Sequence, residues 1–169
     1  FVPEQDPRLT ARGKWHPEEK QTAYHMSHIK MINERDYIWG TFVWNMFDFG
    51  SNFRTEGDSP HVNDKGLVSY DRKYRKDTFY LYKANWNKGE KTTHLCSKSY
   101  TERKEDVTDI VVFTTAPTAK LLINGKQVGT MKADQYATVI WKNVKLAPGK
   151  NHVEIVTPDG NDSAEWTVK

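Results

Sequence analysis

A single cysteine, Cys96, stands in the 169 residues, so neither an internal disulfide nor a cysteine-cluster metal site can form within this chain. Long apolar runs are also missing. Nothing approaches the roughly 18 residues that a membrane helix needs, and Phe1-Val2-Pro3-Glu4 lacks the charged and apolar regions of a secretory signal. Because the chain starts without Met it has the look of an excised piece, and localisation stays open, a secreted or periplasmic parent included. An excess of charge of one sign is absent too, with 25 basic residues against 22 acidic ones. The Lys73-Tyr74-Arg75-Lys76 cluster is flanked by Asp71 and Asp77 and is expected to be a solvated helix start, not a nucleic-acid surface. No membrane or nucleic-acid partner is therefore expected.

What the chain does have is aromatic residues. Six Trp, eight Tyr and seven Phe occur in a polar sequence of mean hydropathy −0.81. Flat aromatic faces stack on pyranose rings, but they also fill cores, so composition alone leaves both roles open.

The apolar run Ile38-Trp39-Gly40-Thr41-Phe42-Val43-Trp44-Asn45-Met46-Phe47-Asp48-Phe49 lacks the alternation of a half-exposed strand. It predicts a strand over 38–47 covered on both faces, as in a parallel barrel. Asn45 and Asp48 would then lie at the strand end where barrels keep their chemistry. Upstream, residues 1 to about 16 read as loop. His16-Pro17-Glu18-Glu19 reads as a helix entry, with proline in the first turn and two carboxylates at the positive end of the dipole, and the helix should run to about Arg35. Its apolar residues do not share one narrow face, which predicts neighbours on more than one side. Downstream, a polar loop leads to a second helix expected from Asp71 as N-cap, with Phe79, Tyr82 and Trp86 at i, i+3 and i+7. Helix, strand, loop, helix is the order of the last part of a (β/α)8 TIM barrel. Eight strands close such a barrel, so residues 1–91 are at most its remnant.

From Thr92 short strands with turn signals take over: Ile110–Phe113, Lys120–Ile123, the Asn124-Gly125 turn, Tyr136–Trp141, His152–Val156 and Ala164–Val168. Asn-Gly between apolar strands predicts a type I′ hairpin, and about seven strands predict an immunoglobulin-like β-sandwich over 92–169. The overall expectation is an α+β multidomain chain. Trp141 and Trp166 are either a carbohydrate-binding face of that sandwich or its core.

Two segments, Trp44-Asn45-Met46-Phe47-Asp48-Phe49 and Asn63-Asp64-Lys65-Gly66-Leu67-Val68 followed by Asp71-Arg72, closely resemble the last barrel strand and following loop of glycoside hydrolase family 2, nearest its bacterial beta-galactosidase branch. The resemblance implies a retaining glycosidase that cleaves terminal β-D-galactosides through two glutamates. Both would lie upstream of this chain, since the family's Ser-Glu-Tyr-Gly-like nucleophile motif is missing and Glu4, Glu18, Glu19, Glu34 and Glu56 stand in polar or helical contexts. No catalytic residue is expected here, and the piece alone should be inactive. The substrate-binding candidates are Trp44, Asp48, Asn63 and Lys65. Trp44 would line the sugar pocket or fill the barrel top. Asp48 would bond a sugar hydroxyl or satisfy the next loop. Asn63 and Lys65 form an Asn-x-Lys pair resembling the uronate-reading motif of beta-glucuronidases, the nearest rival activity, in which a lysine pairs with a C6 carboxylate. The alternative for Lys65 is a solvated loop residue, and a non-catalytic binding or structural module is the competing class. No cofactor is implied. His25 and His28, at i and i+3, lack a third ligand in sequence, so no metal is expected. A carbohydrate is the expected partner, and the truncated barrel surface is expected to self-associate or to pack on the sandwich.

Overall fold

The computed structural model describes residues 13–57 and 59–169. Most of the loop expected over 1–16, with Glu4, lies outside the described residues. Those described fall in two compact units, residues 13–79 and 80–169, dividing inside the second helix.

In the first unit the expected helix forms as α1, Glu18–Asn33, with Pro17 at its N-cap and Glu18 and Glu19 in its first turn. Its buried residues are Thr22, His25 and Ile29, one narrow stripe, while Tyr24 and Met31 stay exposed. Cover on more than one side is thus not found among the described residues. Burial of His25, with a smaller push from the charge of His28, lowers its imidazole pKa to about 4 from 6.5. The unfolded chain then takes up this proton first, so stability is complete above about pH 6.5 and is lost as pH falls towards about 4. At about 1.4 kcal/mol per pH unit the ceiling is ~3 kcal/mol, and solvent screening reduces it to on the order of 2. Denaturant midpoints at pH 7 and pH 4.5 should therefore differ, and a His25→Gln variant should lose most of that difference. Equal slopes with pH in the two proteins would refute the assignment to His25.

The strand expected over 38–47 is not formed. From Ile38 to Met46 the backbone has no strand partner, and Phe47 makes one isolated parallel bridge to Val68. Trp39 and Phe42 are 97% and 99% exposed. A barrel strand needs a neighbour on each edge to pair its N–H and C=O groups and a layer on each face. The described residues supply one short edge contact, at Asn45 to Asp48, so the apolar run lies uncovered. A small hairpin follows, β1 (Phe49–Gly50) against β2 (Val62–Asn63).

The second helix, α2, is Asp77–Trp86, six residues later than Asp71 predicts. Asp71 instead closes a turn, its Oδ1 accepting from the Ser69 hydroxyl (2.6 Å) and the Lys73 N–H (3.1 Å). The α2 amino end is met by Glu18, whose carboxylate accepts from the Asp77 N–H at 2.6 Å and from the Tyr74 hydroxyl at 2.9 Å.

In the second unit the strands are β3 (Thr93–Leu95), β4 (Glu102–Arg103), β5 (Val107–Thr114), β6 (Thr118–Ile123), β7 (Lys126–Lys132), β8 (Thr138–Lys145), β9 (Gly149–Thr157) and β10 (Gly160–Val168). They form a five-stranded sheet, β4-β10-β9-β6-β7, and a three-stranded sheet, β3-β5-β8. Both sheets feed one apolar core, including Leu95, Ile110 and Val112 from the smaller and Leu121, Ile155 and Trp166 from the larger. The β6–β7 turn is the predicted one, since Asn124 (φ 52°) and Gly125 (φ 76°) both take positive φ and Ile123 faces Lys126. Trp166 is 1% exposed and Trp141 is buried as well, so neither indole offers a sugar-binding face and both belong to the core. Arg103 is buried with them, its guanidinium 3.6 Å from the Trp166 ring centroid and donating to Thr108 Oγ1 and the Ser97 carbonyl, each at 3.2 Å.

Candidate functional site

The four candidate residues are brought together in the first unit by two backbone crossings. In one, the Leu67 and Val68 N–H groups donate to the Asn45 and Met46 carbonyls (both 3.0 Å), and the Asp48 N–H donates to Val68 O (2.9 Å). In the other, β1 pairs with β2, placing Phe49 opposite Asn63. Trp44 packs its indole edge-on to Phe49, with ring centroids 5.9 Å apart, and remains 67% exposed. The Trp44–Asn45 peptide is cis.

Asp48 is 7% exposed. Its Oδ1 accepts from the Gly66 N–H (2.8 Å) and the Lys76 ammonium (2.9 Å), so this carboxylate satisfies the following loop, one of the two roles its sequence position allows. Lys76 also donates to the Asp64 carbonyl (2.7 Å). The cation expected on a solvated helix start is in fact largely buried and clamps the 63–66 loop from beneath. Arg72 adds a bond to the Asp48 carbonyl (3.3 Å) and lies over the Phe47 ring at 3.9 Å.

Asn63 is buried, and its side-chain oxygen accepts from the Lys65 N–H (3.1 Å), closing an Asx turn. The Lys65 carbonyl accepts from Gln21 Nε2 on α1 (3.2 Å), which also reaches the Gly66 carbonyl (3.1 Å). The Lys65 backbone is therefore held on both sides while its ammonium reaches outward, half-exposed and 3.6 Å from Glu56 Oε1. Glu56 pairs with Arg54, Arg54 lies 3.9 Å from Asp64 Oδ1, and the other Asp64 oxygen bonds His16 Nδ1 (2.5 Å).

Trp44 and Lys65 thus present an apolar face and a cation to solvent, and Asp48 and Asn63 shape the backbone beneath them. Among the glutamates, Glu18 meets the α2 amino end, Glu34 lies 3.9 Å from Lys30, and Glu56 is paired with Arg54 and Lys65. His28 donates Nδ1–H to the Tyr24 carbonyl (2.9 Å) and stacks on the Tyr24 ring.

Sequence reasoning missed Gly66, Lys76, Gln21, Arg54 and Glu56. Lys76 stands 28 residues from Asp48 and Gln21 stands 44 from Lys65, separations that carry no local pattern. Gly66 alone left a trace, as the small residue after Asn-Asp-Lys.

Residues 105–164 match a family model described as a domain of unknown function, DUF4982. The chain is 56% identical over 149 residues to a beta-glucuronidase of Bacteroides fragilis, covering 88% of this chain and 21% of that protein. It is 26% identical over 126 residues to the beta-galactosidase BoGH2A of Bacteroides ovatus, covering 74% of this chain and 14% of that protein. The crystal structure of an FMN-binding beta-glucuronidase from Faecalibacterium prausnitzii superposes with a TM-score of 0.83 at 35% identity, over 92% of this chain and 25% of that one. The chain thus spans about a fifth or less of the length of these curated relatives. Its homologues are members of glycoside hydrolase family 2, and the share of them that it covers fits a fragment of such a glycosidase.

Proposed function

We propose that this chain is the C-terminal portion of a retaining glycosidase that cleaves β-linked uronic acids, with residues 1–91 as the remnant of a (β/α)8 barrel and 92–169 as an immunoglobulin-like sandwich. The observation that carries the uronate reading is the Lys65 ammonium, which is half-exposed on a loop whose backbone is fixed by Asn63, Gln21 and Asp48. A sugar carboxylate at that point gains a hydrogen bond charged on both partners, whereas a hydroxymethyl group offers the ammonium only a neutral acceptor. The relative at 56% identity, a beta-glucuronidase, supports the same choice. In this reading Trp44 supplies the apolar face for the sugar ring, while Asp48 and Asn63 act by shaping the loop that carries Lys65. The exposed run 38–44 is the surface that the remainder of the barrel would cover, which is also the basis for expecting self-association of the chain alone.

A galactoside-cleaving enzyme is the second reading. It is favoured by the match of the Trp44–Phe49 segment to the beta-galactosidase branch and by the relative from Bacteroides ovatus. The chemistry in either case is double displacement on two carboxylates roughly 5 to 5.5 Å apart, both upstream of this chain.

The test is a side-by-side assay of this chain and a full-length enzyme containing it, on aryl β-glucuronide and aryl β-galactoside. Turnover of the glucuronide by the full-length enzyme, beside a silent chain, is expected. Preference for the galactoside would shift the assignment to the second reading. Hydrolysis of either substrate by the isolated chain would show that the catalytic pair had been misplaced.

A further inference from the structure

Lys65 does not reach into solvent alone. Its ammonium lies 3.6 Å from Glu56 Oε1, Glu56 is itself paired with Arg54, and Arg54 lies 3.9 Å from Asp64, the residue just before Lys65. The Arg54 backbone is held on both sides, its N–H donating to Ser51 O and its carbonyl accepting from the His61 N–H, each at 3.0 Å. Arg54 is thus a fixed point in the β1–β2 connection, largely buried, from which an alternating chain of charges runs outward to Lys65.

We propose that Glu56, anchored by Arg54, is a positioning residue that fixes where the Lys65 ammonium stands and so sets the preference for a carboxylate-bearing sugar. The inference rests on the uronate reading above and deepens it. Two effects of Glu56 oppose each other. Its negative charge repels an incoming carboxylate, and its contact holds a long side chain that would otherwise sample many rotamers. Arg54 decides between them. With the Glu56 charge compensated by its close guanidinium partner, the repulsion that Glu56 adds largely cancels. The ordering of the Lys65 side chain does not cancel, because a free lysine gives up rotamer freedom when it captures a ligand, whereas one already held gives up less. Glu56 therefore favours uronate binding even though it carries the same sign of charge as the substrate.

The experiment is a double-mutant cycle in the full-length enzyme on aryl β-glucuronide. Glu56→Gln is expected to raise KM about two- to five-fold, the range a half-exposed ion pair supplies, with kcat falling by much less. Lys65→Ala is expected to raise KM about a hundred-fold. Adding Glu56→Gln to Lys65→Ala should change nothing further, because the group that Glu56 positions is gone. A fall in KM for Glu56→Gln would make Glu56 a competitor for the lysine and overturn the proposal. A KM rise that persists undiminished in the Lys65→Ala background would reduce Glu56 to a structural role and overturn it equally. An enzyme that turns over only the galactoside would remove the uronate reading itself, an outcome distinct from a glucuronide-active enzyme indifferent to Glu56, which would defeat this inference alone.

Discussion

Trp166→Ala is expected to cost the sandwich about 4–7 kcal/mol, enough to bring it close to unfolding at 37 °C. Trp166 is the largest fully buried side chain, and it sits in the core shared by both sheets. Truncating a buried Trp to Ala costs about 3–5 kcal/mol through lost transfer energy and the cavity left behind. Arg103 adds to this, since its guanidinium lies over the indole, 3.6 Å from the ring centroid, and would be stranded in a buried site, a loss of about 1–2 kcal/mol for a desolvated cation–π contact. A domain of this size has about 5–15 kcal/mol in total, so the variant approaches the unfolding threshold. Trp166→Phe keeps an aromatic face beneath Arg103 and should lose much less. Urea unfolding followed by near-ultraviolet circular dichroism would give both values. A loss below about 2 kcal/mol for the alanine variant would show that the indole is not the centre of this core.

The second large effect belongs to the first unit and to a residue with no side chain. A Cβ built on Gly66 would stand 2.1 Å from the Asp48 nitrogen and 2.2 Å from the Phe47 carbonyl carbon, both backbone atoms with no freedom to turn aside. Gly66→Ala must therefore separate the 45–48 and 66–68 segments. That separation breaks the Gly66–Asp48 hydrogen bond and disturbs the Asp48–Lys76 ion pair, both partners of which are largely buried. Breaking a buried, hydrogen-bonded ion pair costs about 3–5 kcal/mol, and the same loss is expected here. Gly40→Ala is the control, because nothing lies within 4 Å of its added Cβ and a change within about 0.5 kcal/mol is expected. If the two variants unfold at the same denaturant concentration, the close approach at Gly66 does not govern this unit. On the proposed uronate reading, Gly66→Ala should also displace Lys65 in the full-length enzyme, so that glucuronide turnover falls with stability.

How much of this was legible beforehand differs sharply between the two units. The second unit was legible nearly strand by strand. Lys120–Ile123, the Asn124-Gly125 turn and His152–Val156 all carry their instruction locally, as alternation or as a demand for positive φ. β3 and β4 were missed because two or three residues are too few to show a period, and β7 was missed because nearly all of it is exposed. In the first unit α1 was legible from its proline and paired glutamates. The 38–47 segment was read as a buried strand because its composition is that of one, yet composition records only what a segment would bury and not whether a partner is present to cover it. Asp71 looked like a cap because a short acid before a periodic run is the usual signal, and here the neighbouring Ser69 hydroxyl claimed it for a turn.

The sequence by itself determined the local alphabet of this protein: a helix that opens on Pro17, a hairpin at Asn124-Gly125, aromatic residues to fill a core, and an Asn-x-Lys loop beside a tryptophan. It also determined the family resemblance, because motifs of adjacent residues survive as strings. The tertiary structure alone decided that Asp48 turns to Gly66 and Lys76, that Arg103 lies over Trp166, and that Lys65 meets Glu56 and, through it, Arg54. Propensity, alternation and turn chemistry act over a few residues and can be read along the chain. The pairing of buried charges with their partners acts through space, between residues as far apart as Arg103 and Trp166, 63 positions along the chain, and it is set by which backbone segments come to cross.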